Sequence, residues 1–316
     1  QPRLSYFGGT DPVVVYVGDD FYPYFSVNTS TWSSIEIDNK PMYPLSGGIG
    51  FSLGYNDDEG SMGLLYTAID GADADAFFVT SSVLTEVVPY DGSLPTLDTD
   101  AKTKLLWVDN VYYLAFSSSS ADGIYDVYLT TSTDGSDESW SEPQEVFTGL
   151  WAPDDYGKGL FAFEYNSNDS YFGIASYTTG TSRIDFATSS DAFSWSATST
   201  VADHLPTTQS NVRRIYLDFG TSDSYVALFY SNYDQGGMTS GSYEVATSTN
   251  GGSWSTSTIG TLNNGEQDFF AGGVISGSGA SRVFHAAFFE DNLNDIIYSS
   301  STDGGATWTS TTVAEE

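Results

Sequence analysis

The chain has 316 residues, 42 acidic against 9 basic side chains, a net charge of −33 and no cysteine. Such a field repels nucleic acid and anionic membranes, and the lack of thiols excludes disulfides and thiolate metal centres. Abundant Tyr, Phe, Ser, Thr and Gly, β-forming runs such as VVVYV and LLWV, and no apolar run long enough to cross a bilayer point to an all-β protein.

The first predicted elements lie in VVVYVGDDFYPYFSVN (13–28), two alternating strands joined at Gly18-Asp19-Asp20. SVNTSTW (26–32) follows, and its place matches a second strand. Residues 46–95 then supply GIGFSLGYN, GLLYTAI, DAFFVTSS and LTEVVPY as four strands. KLLWVDNVYYLAFSS (104–118) is a hairpin joined at Asp109-Asn110. VRRIYLDFGTSDSYVALFYSN (212–232) and GGVISGSGASRVFHAAFFEDN (272–292) have the same pattern.

A repeated unit occurs four times, three of them after these hairpins: YDVYLTTSTDGSDESW (125–140), SRIDFATSSDAFSW (182–195), SYEVATSTNGGSW (242–254) and DIIYSSSTDGGATW (295–308). Each is an alternating strand, a Ser/Thr-rich turn, and a Trp that opens another polar strand. From Asp134 to Asp191, Asn250 and Asp303 the steps are 57, 59 and 53 residues, just above the period of four-stranded propeller blades. In 46–95 the matching turn is TSSVLT (80–85), which lacks both Asp and Trp.

The predicted fold is therefore a six-bladed β-propeller of four-stranded antiparallel blades, with five or seven blades as alternatives. It forms one domain over 1–316, with blades at roughly 10–45, 46–95, 96–148, 149–200, 201–260 and 261–316. In the repeated turn the Asp accepts backbone N–H bonds, the Gly takes a conformation other residues resist, the Ser adds a local hydrogen bond and the Trp packs between blades. These residues read as a structural staple rather than as catalytic groups.

The same residues carry a family resemblance. Ser301, Asp303, Gly305 and Trp308 match the Asp-box of sialidase-like propellers position for position. Ser248, Asn250, Gly252 and Trp254 match with one residue fewer, Ser132, Asp134 and Trp140 with one more, and Asp191 and Trp195 without the Gly. The resemblance implies a propeller over most of the chain; its members include sialidases, other glycosidases, lectins and sorting receptors. A sialidase would bring an arginine triad, a Tyr–Glu nucleophile pair and an Asp acid. Here the arginines are Arg3, Arg183, Arg213, Arg214 and Arg282, and Gln1-Pro2-Arg3-Leu4 departs from the family's Phe/Tyr-Arg-Ile-Pro. GGTDPVVVYV and LWAPDDY are similar to the DP and WAP strings of arabinanase-like glycosidases, which are five-bladed.

In a propeller the loops entering each first strand gather at the channel face. Here they are GGTDP (8–12), TLDTDAKTK (96–104), LWAPDDYGKG (150–159), DHLPTTQSNVRR (203–214) and NNGEQDFF (263–270). They hold five of the nine cations: Lys102, Lys104, Lys158, Arg213 and Arg214. Scarce cations beside carboxylates and aromatics suggest a ligand pocket of Trp151, Tyr156, Lys158, Arg213 and Arg214, although these cations could equally just offset nearby Asp. An aromatic face with Asp and Arg suits a sugar. Asp11, Asp154, Asp155, Glu266 and Asp268 are by position the carboxyls that glycoside hydrolysis would need.

The expected function is non-catalytic binding of a glycan or another extracellular ligand at the channel face. An exo-glycosidase and a structural or adhesive assembly module are the alternatives. No cofactor is required; calcium at Asp70, Asp73 and Asp75 in DGADAD is an alternative to a plainly solvated acidic loop. His204 and His285 make no metal spacing. Gln1 in place of an initiator Met is what cleavage of a secretory signal would leave, and NTS (28–30) and NDS (168–170) fit the N-glycosylation pattern. Both favour a secreted or cell-surface protein whose partner is a glycan or cell-surface ligand, not nucleic acid or membrane.

Overall fold

A computed structural model gives an all-β chain of strands linked by turns. It describes strand backbones from Arg3 to Glu315. It describes side chains in 104–117, 126–135, 139–148, 161–177, 183–203, 215–220, 223–232, 241–261, 272–288 and 297–312. The chain divides into two compact units, Gln1–Glu145 and Val146–Glu316.

The first unit opens with β1 (Arg3–Phe7), β2 (Asp11–Val17), β3 (Pro23–Asn28) and β4 (Trp32–Glu36), paired in that order. The set begins at Arg3, seven residues before the predicted boundary, because RLSYF is itself a strand that pairs with Asp11–Val15. SVNTSTW therefore bridges the third and fourth strands, the position of the repeated turn, and does not belong to a second strand. Next come β5 (Phe51–Asn56), β6 (Ser61–Asp70), β7 (Asp73–Thr80) and β8 (Leu84–Val88), again paired in order. β9 (Thr103–Val108) and β10 (Val111–Ser119) form a hairpin on Asp109-Asn110. Both turn residues have positive φ, 49° and 63°, the left-handed pair whose twist suits a two-residue hairpin. β11 (Tyr125–Ser132) follows, and β12 (Gln144–Leu150) straddles the division between units.

The second unit holds three more antiparallel four-strand sets. They are β13 (Phe161–Asn166), β14 (Tyr171–Thr178), β15 (Arg183–Ser189) and β16 (Ser199–Ala202); β17 (Ile215–Phe219), β18 (Val226–Tyr233), β19 (Ser240–Ser248) and β20 (Ser255–Asn263); and β21 (Phe269–Ser276), β22 (Val283–Glu290), β23 (Asp295–Ser301) and β24 (Thr309–Glu315). β18 shows how the sheets stack. Val226, Leu228 and Tyr230 pack with Ala175, Ile184 and Phe186 of the preceding sheet, while Ala227 and Phe229 pack with Phe284 and Ala286 of the next. Successive side chains point to opposite faces, so the central sheet is buried on both. Each such buried aliphatic or aromatic stabilises by about 1.5–3 kcal/mol. At Gly273 the backbone runs against the Phe229 ring, where a Cβ would overlap it.

A register shift recurs at Ile184/Asp185, Tyr243/Glu244 and Ile296/Ile297, each time the same distance before the turn serines Ser189, Ser248 and Ser301. β7 has it at Ala76/Phe77, at the same distance before Ser81. The second set therefore keeps the repeat's bulge although its turn has lost the Asp and Trp.

The turns are closed by the repeated polar residues. Ser132, Ser248 and Ser301 Oγ accept the N–H of Gly135, Gly251 and Gly305 at 2.7, 2.9 and 2.9 Å. Asp191 Oδ1 accepts from Phe193 and Ser194 N–H, Asp303 Oδ1 from Thr307 N–H, and Asn250 Oδ1 from Gly252 N–H. The left-handed glycine of the shorter copy is Gly251 (φ 73°), because the missing residue falls before it; Gly252 only donates to Asn250. In the copy without Gly, Ala192 takes that conformation (φ 67°).

Two of these turns, at Gly251 and Gly305, also bind a sheet to the one before it. Ser199 Oγ, on β16, donates to Gly251 O at 2.6 Å, and Trp254 Nε1 donates to Gly251 O at 3.1 Å and to Ser199 Oγ at 3.2 Å. Trp254 meets Phe186 edge-on with centroids 5.2 Å apart. One sheet on, Ser257 Oγ donates to Gly305 O at 2.6 Å, and Trp308 Nε1 donates to the same carbonyl at 3.0 Å.

Candidate functional site

Of the residues expected at the channel face, Trp151, Tyr156, Lys158, Arg213, Arg214, Asp154, Asp155, Glu266 and Asp268 lie outside the described residues. Asp11 opens β2 and its side chain is likewise outside them. Asp70 and Asp73 are paired in the register of β6 and β7, with Asp75 two places along β7; their side chains too lie outside the described set. Among the described residues no group of three or more His, Asp or Glu could hold a metal.

A different site is built where β16 faces the next sheet. Alternation on β18 and β19 brings it about. Tyr230 pairs with Glu244 and Asn232 with Ser242 in the register, so all four share the face that carries buried Leu228 and Ala246. The apolar floor thus gives way to a polar wall within two residues. Tyr230, Asn232, Glu244 and Thr256 line a crevice of about 350 Å³ with Thr200–Asp203 opposite.

The polar groups of the crevice are held in place. Tyr230, only 1% exposed, donates its hydroxyl to Glu244 Oε2 at 2.8 Å. Ser242 Oγ donates to Glu244 Oε1 at 2.7 Å. Burial, reinforced by the Glu244 charge, holds the Tyr230 phenol well above its ordinary range, so it stays a donor. Thr200 Oγ1 donates to Asp185 Oδ1 at 3.3 Å, and Arg183 Nε donates to Asp185 Oδ2 at 2.8 Å. Among the described residues the lining offers two carboxylates, Asp203 and Glu244, with hydroxyls and an amide, and no Lys, Arg or His.

The described arginines are committed elsewhere. Arg183 pairs with Asp185. Arg282 pairs with Asp223 and lies 3.6 Å over the Tyr225 ring, while Asp223 also accepts from Gly279 N–H. On β21–β23, Ser276 Oγ lies 2.7 Å from His285 Nε2, and His285 Nδ1 lies 2.5 Å from Tyr298 Oη. A phenol there lacks the charge with which a carboxylate stabilises an imidazolium, so this chain reads as a strut across three strands.

No family model matches the chain, nor does any curated protein sequence. Solved structures do. AofleA from Arthrobotrys oligospora is 9% identical with a TM-score of 0.59, over 98% of this chain and 85% of that one. The GH93 α-L-arabinofuranosidase of Fusarium graminearum, solved with arabinobiose, is 11% identical with a TM-score of 0.60, over 87% and 84%. The Aleuria aurantia lectin, described as a six-bladed β-propeller with a novel fucose recognition mode, is 10% identical with a TM-score of 0.55, over 99% and 95%. The chain has the β-propeller fold. Its four four-stranded sheets, with β9–β16 as two further runs of four strands, are consistent with six blades. Other likenesses include a microbial sialidase, of which this chain spans 65%, and an arabinanase. The propellers it resembles are thus both glycan-cleaving enzymes and lectins.

Of the crevice residues, Glu244 alone carries a signal in the sequence. In SYEVATS, Glu244 falls in the same strand phase as buried Ala246. A carboxylate in the core-facing phase of a strand marks either a paired structural acid or a site.

Proposed function

We propose that the chain is a non-catalytic glycan-binding propeller acting outside the cell, secreted or at its surface. The observation that carries this reading is the clamp on Glu244. With Tyr230 and Ser242 each donating to one of its oxygens, the carboxylate is a fixed acceptor that can take further hydroxyl donors. Likeness to lectins along nearly the whole chain supports the reading. The repeated turns, read as Asp-boxes, serve as staples in it.

A second reading, an exo-glycosidase, is favoured by the TM-score of 0.60 with the GH93 arabinofuranosidase. Its carboxyls would come from Asp11, Asp154, Asp155, Glu266 and Asp268. A sialidase is the least favoured form, because Arg183 and Arg282 already hold Asp185 and Asp223.

The test is a glycan microarray run beside a panel of fluorogenic glycosides, a sialoside included, with and without calcium. Saturable binding without turnover is expected. Turnover that disappears in Asp154→Asn or Glu266→Gln would establish the glycosidase instead.

A further inference from the structure

The crevice between β16 and β18–β20 differs from a generic sugar pocket in its charge. Among the described residues it has two carboxylates, Asp203 and Glu244, and no cation in its lining. The guanidinium of Arg183, on β15, is paired with Asp185. The chain as a whole carries a net charge of −33, so the long-range field also favours cations over anions. At about 350 Å³ the crevice lies near the small end of ligand pockets, the scale of one or two sugar rings.

Resting on the glycan-binding reading, we infer that this crevice selects sugars with a free amine, of the glucosamine type, and turns away acidic sugars. The ammonium donates to Glu244, whose orientation Tyr230 and Ser242 fix. Ring hydroxyls bond Asn232, Thr200 and Thr256 on the walls. An acidic sugar would set its carboxylate against Glu244, with no cation among the described lining residues to receive it. N-acetylation removes the ammonium charge and with it the charge-assisted bond.

The experiment is calorimetric titration of the full chain at pH 6, where the sugar amine is cationic, in 150 mM salt. The probes are methyl β-D-glucosaminide, its N-acetyl counterpart and sialyllactose. The glucosaminide should bind at least tenfold more tightly than the N-acetyl sugar, and sialyllactose should not bind. Glu244→Gln keeps an acceptor for Tyr230 and should weaken the glucosaminide about tenfold. Asp109→Asn removes the same unit of charge from an exposed left-handed turn that asparagine tolerates, and should leave affinity unchanged. Thr256→Phe, at an exposed position lining the crevice, should block binding without touching Glu244. Equal or tighter binding of the acetylated or sialylated sugar would overturn the inference and leave the glycan reading standing. Equal loss in Asp109→Asn and Glu244→Gln would assign the effect to the diffuse field and overturn it as well. Binding of none of the three probes would overturn the inference, and only an empty glycan microarray as well would overturn the glycan reading.

Discussion

Asp303 is exposed, yet its carboxyl is held down at about 2, against an ordinary 3.8, by the Thr307 hydroxyl, the Thr307 N–H and Ser301 Oγ. Asp191 is held lower still, by the N–H groups of Ser194 and Phe193 and by Ser189 Oγ. A carboxyl whose folded value is depressed contributes stability above its unfolded value and loses that contribution as pH falls through the folded one. Asp303 should therefore help hold the fold above about pH 4 and stop doing so near pH 2. Asp303→Asn keeps an acceptor, as Asn250 does naturally. The gap in melting temperature between wild type and Asp303→Asn should narrow steadily from pH 4 to pH 2. A gap that stays constant over that range would refute the role given to the carboxylate.

The chemistry of these turns was legible in the residues themselves, because Ser, Asp and Gly act locally. What they touch was less so. Gly251 sits where a Cβ would come within 2.5 Å of Phe186 Cε1, a residue of the preceding sheet. Its role depends on a contact that no local pattern encodes. The tripeptide Asn-Gly-Gly offered two candidates, and only the backbone angle distinguishes Gly251 from Gly252. Glu244 was missed for a similar reason: its meaning depends on the cross-strand partner Tyr230.

The sheets of the second unit are joined by apolar faces and by polar staples at the Gly251 and Gly305 turns. Trp254 bonds both Gly251 O and Ser199 Oγ while its ring packs on Phe186. Trp254→Ala should cost about 3 kcal/mol by denaturant unfolding, the low end for tryptophan truncations because the ring is only partly buried. A cost under about 1 kcal/mol would mean that the staple holds nothing. Gly273→Ala drives a methyl into the Phe229 ring, with an expected cost of about 1–3 kcal/mol.

Most strands and hairpins could be read ahead, since Asp109-Asn110 and its like are strong turn signals between alternating runs. β1 could not. Its five residues, RLSYF, carry too short an alternation to stand out, and missing it shifted the first set and misplaced SVNTSTW. The bulge at Ala76/Phe77 shows the converse: a sheet can keep the repeat's geometry after its sequence signature has gone.

With 42 acids against 9 bases, the folded chain is self-repelling throughout. Shielding that repulsion should outweigh the loss of its few exposed ion pairs. Melting temperature should therefore rise by a few degrees between 10 mM and 0.5 M sodium chloride, a trend that scanning calorimetry would read directly. The all-β class and the propeller period were legible because they recur along the chain. The crevice was not, because it forms only where one sheet's outer strand meets the face of the next.

The central claim is that a sugar sits between β16 and β18–β20. The most direct measurement is hydrogen–deuterium exchange of the full chain with and without methyl β-D-glucosaminide. Slowed exchange in Thr200–Asp203 and around Tyr230 and Glu244 is the predicted result. Protection confined to residues 150–159 or 263–270, or none anywhere, would contradict it.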